Sequence, residues 1–173
     1  ILISGKNVKI NQVVLNKDNF SIDFKKVSNF FNRKTKIILI NSPHNPTGKL
    51  FTKSELEKLG DIMKRYPNCK LISDEIYDEY LFRGNKMCYP KNIRSLRKKT
   101  IILNGFSKSL SMTGWRIGFC VANKKIIEKM SLIQQHLNTN VPVFTQMGAL
   151  KGLKLNKSNF KKYLKNINKN SKY

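Results

Sequence analysis

Four short apolar runs constrain this chain more than any other feature. Residues 36–40 (KIILI), 70–73 (KLIS), 100–104 (TIILN) and 117–122 (IGFCVA) each have strand length. The first is continuously apolar rather than alternating, which is the pattern of a strand buried on both faces of a parallel sheet. Helical patterns lie before, between and after the runs. Thr52 and Glu55 make a T-x-x-E capping box ahead of the stripe Leu56, Leu59, Met63 and Tyr66, and Pro67-Asn68 stops it. Residues 125–137 carry Ile126, Ile127, Met130, Ile133 and Leu137 at helical spacing, and Thr139-Asn-Val-Pro142 breaks that pattern. Strands alternating with helices or long crossovers predict an α/β fold with a mainly parallel sheet flanked by helices.

The remaining segments organise rather than react. Residues 8–15 are β-favouring and end in the polar turn 16–19, so they are expected to be extended. A short helix is expected from Asp23, with Phe24, Val27, Phe30 and Phe31 on one face. A helix is expected again over 144–153. The tail 154–173 is rich in Lys and Asn, and its weak periodicity through Leu155, Phe160, Tyr163, Leu164 and Ile167 predicts a marginal helix.

Three of the apolar runs lead straight into polar clusters. Residues 36–40 run into Asn41-Ser-Pro-His-Asn-Pro-Thr-Gly48, where two X-Pro pairs and a glycine forbid helix. Residues 70–73 lead into Asp74-Glu-Ile-Tyr77, and residues 100–104 into Gly105-Phe-Ser-Lys108, with Gly114-Trp-Arg-Ile-Gly118 just beyond. Open α/β sheets gather ligands beyond the carboxyl ends of their strands. The three clusters should therefore meet at one sheet edge, as an amine, a carboxylate, an amide and a phenol beside a guanidinium.

Charge has to be weighed against that picture. Against 34 Lys and Arg stand 10 Asp and Glu, a formal net charge of +24. The excess is mostly lysine, is spread along the whole chain and travels with abundant Asn, as AT-rich coding produces. Nucleic-acid readers instead concentrate Arg and aromatics on one face, so no nucleic-acid partner is expected, although a positive field draws in anionic ligands. No apolar run approaches membrane-spanning length and no signal-peptide pattern opens the chain, so neither a membrane nor an export route is expected. Cys69, Cys88 and Cys120 are odd in number and lack metal-ligand spacing, which argues against a metal site and for a reducing, cytoplasmic setting.

Asn-Pro-Thr-Gly at 45–48, Asp-x-x-Tyr at 74–77, and Gly-Phe-Ser-Lys with Gly-Trp-Arg-Ile-Gly at 105–118 resemble, in order and separation, the class I/II aminotransferases. These are pyridoxal-phosphate enzymes of fold type I. The likeness runs from about residue 5 to about residue 153. Finer details such as Ser-Pro-His-Asn-Pro-Thr-Gly-Lys are similar to the branch holding prokaryotic-type aspartate, alanine or methionine and kynurenine/glutamine aminotransferases.

The resemblance implies roles that the chemistry can account for. Lys108 matches the lysine that forms the Schiff base with pyridoxal 5'-phosphate, a task that needs an uncharged amine able to move a proton. Asp74 matches the carboxylate that keeps the cofactor's ring nitrogen protonated. Glu75, Asp78 and Glu79 beside it are read as solvated or structural. Asn45 and Tyr77 match the amide and phenol that meet the cofactor's phenolic oxygen. Asn41 also ends a strand but lacks the Pro-Thr-Gly context, and His44 is not needed as a base where a lysine serves. Arg116 matches the arginine whose planar fork grips the phosphate. Many aspartate aminotransferases have a phosphate-binding Ser three positions before the lysine, where this chain has Gly105. Either the glycine lets backbone amides approach the phosphate, or Ser107 substitutes. Trp115 is read as packing.

An amino acid and a 2-oxo acid are the implied substrates, and a homodimer the implied assembly. A carbon-sulfur lyase or synthase of the same fold is the alternative within enzymes. The family's enzymes are more than twice this length, with a Gly/Ala-rich phosphate loop before the region matched here and a substrate-carboxylate arginine after it. Residues 1–153 are thus expected to be the central part of the large cofactor-binding domain, and 154–173 the start of a link to a small domain. A chain of this extent is also open to a noncatalytic reading.

Overall fold

The computed structural model describes residues 8–82, 84–155 and 158–170. Helix α1 (Phe24–Phe30) starts where the Asp23 side chain accepts hydrogen bonds from the Lys25 and Lys26 amides. Helix α2 (Lys53–Lys64) starts on a complete capping box, in which Thr52 Oγ1 accepts from the Glu55 amide and Glu55 Oε2 from the Thr52 amide. Its far end is held by Lys99, whose ammonium donates to the carbonyls of Met63 and Tyr66. A cation there adds to the amide donors of those carbonyls and suits the negative end of the helix dipole.

The strands are β1 (Ile37–Asn41), β2 (Lys70–Asp74), β3 (Thr100–Gly105) and β4 (Gly118–Val121), lying side by side in chain order. The first three are parallel and β4 runs antiparallel to β3, so the sheet is mainly parallel as expected. Asn41 pairs with Asp74, and Asp74 with Leu103, which brings the ends of three parallel strands level. Three further helices follow: α3 (Lys124–Asn138), α4 (Val143–Leu153) and α5 (Ser158–Asn170). The ends of the Lys/Asn-rich tail, 156–157 and 171–173, lie outside the described residues.

Helices α1 and α2 cover one face of the sheet. Leu56, Leu59 and Met63 are buried with Leu71 and Leu96, and Val27, Phe31 and Ile40 join the same cluster. A smaller cluster packs Met112 and Ile117 on Ala149 of α4. Strand β1 departs from the expectation of burial on both faces: Ile37 is 57% exposed and Leu39 65%. Successive strand residues point to opposite faces, and the described residues supply helices to the Ile38–Ile40 side only. The apolar stripe of α3 is covered only at its start: Ile126 and Ile127 are half-buried, while Met130, Ile133 and Leu137 are exposed. Residues 8–15 form no helix and join no strand of the sheet.

Candidate active site

The loop after β1 is shaped by its own hydrogen bonds. The His44 amide donates to Lys49 O at 2.9 Å and the Gly48 amide to His44 O at 2.7 Å. Gly48 takes φ +69°, a conformation that suits glycine. The 42–43 and 45–46 peptide bonds are cis. The His44 ring meets Thr47 Oγ1 at 2.8 Å, so its Nδ1 is engaged within the loop.

Asn41 braces this loop. Its amide group donates to Asp74 O at 3.1 Å, and its Oδ1 accepts from the Asn45 amide at 2.8 Å. One side chain thus ties β1, β2 and the start of the Pro-Thr-Gly turn. Asn45 in turn donates through Nδ2 to Tyr77 Oη at 3.1 Å. The Lys108 ammonium stands 5.7 Å from the centre of the Tyr77 ring, within reach of its negative face. Asn45, Tyr77 and Lys108 therefore converge, and they line a cavity of about 310 Å³ with His44 and Tyr80.

Asp74 lies at the next position out. It ends β2, is half-buried, and its Oδ1 accepts from the Ile76 amide at 3.2 Å. It is joined to the cavity through Asn41 but does not itself line it. Glu75 points the other way. It is 3% exposed and accepts from Ser73 Oγ at 2.8 Å. Burial pushes its carboxyl above the ordinary range; Asp78 and Asp74 add to the rise, while the Ser73 hydroxyl and Lys91 oppose it.

Lys108 sits in a turn after β3 in which the Leu110 and Met112 amides both donate to Phe106 O. Ser111 (φ 54°) and Arg116 (φ 52°) hold left-handed backbone that side chains rarely adopt. Such positions cost of order 1 kcal/mol or more each, and they cluster at functional sites. The Arg116 guanidinium is exposed and donates to Thr113 O at 2.9 Å, and Ser107 lends its carbonyl to Thr113 Oγ1. Neither Arg116 nor Ser107 lines the cavity.

Gly105 has a steric reason of its own. A Cβ there would stand 3.0 Å from Gly118 Cα and 3.1 Å from Ile117 O. The two glycines face each other across the antiparallel pair, so the start of the lysine turn needs both. Trp115 packs on α4, where a Cβ on Gly148 would meet its ring at 2.5 Å.

Sequence reasoning did not find Tyr80. Its phenol donates to Lys108 O at 3.0 Å, and its amide donates to Tyr77 O in the turn after β2. The three-residue spacing from Tyr77 was its only mark in the sequence. Among the described residues, no group of three or more His, Cys, Asp or Glu side chains could hold a metal ion. No helix among them is long and apolar enough to cross a membrane.

Residues 3–173 match the model of the family described as aminotransferase class I and II. This chain belongs to the class I and II aminotransferases. It is 40% identical over 149 residues to the aspartate aminotransferase of Sulfurisphaera tokodaii, covering 86% of this chain and 37% of that one. With the aspartate aminotransferase of Bacillus subtilis the identity is 37%, with the same coverage. Among solved structures, the aspartate aminotransferase of Thermotoga maritima superposes with a TM-score of 0.83 at 32% identity, over 93% of this chain and 42% of that one. The aromatic aminotransferase of Pyrococcus horikoshii gives 0.80 at 33% identity, over 90% and 41%. This aminotransferase chain thus spans about two fifths of the length of these relatives.

Proposed function

We propose that this chain supplies the catalytic lysine and part of the cofactor cradle of a pyridoxal-phosphate-dependent aminotransferase. The observation that carries the reading is the convergence of Lys108, Tyr77 and Asn45 on one cavity at the carboxyl edge of the sheet. That donor set fits the cofactor: an amine for its aldehyde, a phenol and an amide for its phenolic oxygen, with Asp74 at the end of β2 next to Asn41. When bound, pyridoxal phosphate serves as an electron sink that eases proton loss from the substrate carbon.

The chain's own residues divide the remaining work. Lys108 holds the cofactor and carries a proton on Nζ. Asp74 holds the proton on the ring nitrogen, and Tyr77 with Asn45 orients the ring. Arg116 is proposed for the phosphate, with Ser107 as a second donor; both stand with Lys108 in the connection between β3 and β4. The proposed substrates are an amino acid and a 2-oxo acid. The names of the relatives divide between aspartate and aromatic amino acids. A cytoplasmic homodimer is the proposed working form. Residues 1–153 are assigned to the cofactor-binding domain and 154–173 to the link beyond it, within which α5 still reaches the site through Phe160.

Borohydride reduction of the protein loaded with pyridoxal phosphate, followed by peptide mass spectrometry, tests the reading. The label is expected on Lys108, and labelling of another lysine instead would sink the assignment. Lys108→Ala is expected to abolish both labelling and transamination.

A further inference from the structure

We infer that Tyr80 is a positioning residue for Lys108, holding it by its main chain against the Tyr77 ring, and that Phe160 on α5 braces Tyr80 in that place. The Lys108 carbonyl accepts two hydrogen bonds, from the Ser111 amide within its own turn at 3.2 Å and from Tyr80 Oη at 3.0 Å. A carbonyl oxygen has two lone pairs, so this peptide unit is fixed from both sides. One anchor is local; the other comes from the turn after β2, 28 residues earlier.

The same tyrosine reaches the other end of Lys108 through its ring. Tyr80 stands edge-to-face with Tyr77, centroids 6.4 Å apart at 80°, and Tyr77 lies below the Lys108 ammonium. On its far side Tyr80 meets Phe160 at 5.3 Å, again at 80°, the geometry that aromatic pairs prefer. Burial raises the pKa of the Tyr80 phenol, with Tyr163 and Tyr77 adding to the rise, so the hydroxyl stays a donor throughout the neutral range. A phenylalanine would fill the same space. The hydroxyl is what adds a bond, and its partner is the main chain of the amine-bearing residue.

The inference rests on Lys108 as the cofactor-binding amine, and two readouts keep the two ideas apart. Tyr80→Phe and Phe160→Leu are made in the full chain. In unloaded protein, reductive methylation of Lys108 with formaldehyde and cyanoborohydride is followed by peptide mass spectrometry, with exposed Lys124 as internal reference. Loss of the Tyr80 hydroxyl should free the ammonium from the Tyr77 ring and speed methylation roughly two- to tenfold, the range of one net hydrogen bond. In protein mixed with pyridoxal phosphate, borohydride-trapped label on Lys108 should form more slowly by a similar factor. General loosening of the fold would instead lower the thermal midpoint and raise Lys124-normalised methylation at many lysines. Tyr80→Phe should leave the midpoint near the parent's, and Phe160→Leu should act in the same direction more weakly. Parent-like behaviour of Tyr80→Phe in both assays would overturn the inference. If the parent traps cofactor on a different lysine, the aminotransferase role of Lys108 fails, while the methylation comparison still decides whether Tyr80 holds it.

Discussion

Glu75 shows at the scale of one residue how a motif mixes chemistry with packing. Adjacent to Asp74, it is buried while Asp74 is only half-buried, and it faces Ser73 rather than the cavity. Its carboxyl is raised above the ordinary range, so the folded state binds more protons than the unfolded one. Stability is then greatest below the ordinary glutamate range and declines as pH rises toward the raised value. Glu75→Gln keeps an acceptor for the Ser73 hydroxyl and removes the buried charge. It is expected to raise the thermal midpoint at neutral pH and to flatten its pH dependence, with the advantage disappearing in acid. A lower midpoint at neutral pH would count against this account.

At the scale of elements, α2 and the β3–β4 pair are set by a few contacts each. Thr52→Ala removes one half of the capping box and should cost about 1 kcal/mol in denaturant unfolding. Burial pushes the Glu55 carboxyl up, but the Lys49 ammonium at 2.8 Å and the Thr52 amide and hydroxyl outweigh it, so the net shift is downward. A lowered folded pKa adds stability above the ordinary glutamate range, and that stability is lost as pH falls through the folded value. The difference between the parent and Glu55→Gln should therefore be largest near neutrality and shrink in acid. In the β pair, Gly105→Ser would press its Cβ on Gly118 and Ile117 O. It is expected to cost roughly 1 to 3 kcal/mol and to displace the Lys108 turn, seen as slower cofactor labelling. In this chain the close pairing of Gly105 with Gly118 thus disfavours a side chain at 105.

The whole molecule exposes 13197 Å². A compact globular chain of 20.1 kDa would expose about 8,700 Å². Apolar side chains stand exposed on β1, β4, α3 and α4, among them Leu39, Val121, Ile133 and Phe144. Large contiguous apolar patches are rare on monomers. The 173-residue chain by itself is expected to bind a hydrophobic dye strongly and to self-associate as its concentration rises, read by fluorescence and sedimentation. Weak dye binding and a concentration-independent monomer would contradict this.

The sequence alone determined the order of elements, the capping box of α2, and the three polar motifs that follow parallel strands. Each is written locally, in apolar periodicity, a cap or an X-Pro turn, and the parallel topology carries Asn45, Tyr77 and Lys108 to one edge. It did not determine which face of β1 is covered, because a continuous apolar run reads alike whether one side is packed or both. Nor did it reveal that Asn41 braces Asn45, that Gly105 is matched to Gly118, or that Tyr80 holds the Lys108 carbonyl. The Asn41 contact depends on how its loop is bent after β1, the glycine pair lies across two strands and the Tyr80 bond spans 28 positions; only the tertiary structure decides them, because hydrogen bonds and close packing depend on distance in space.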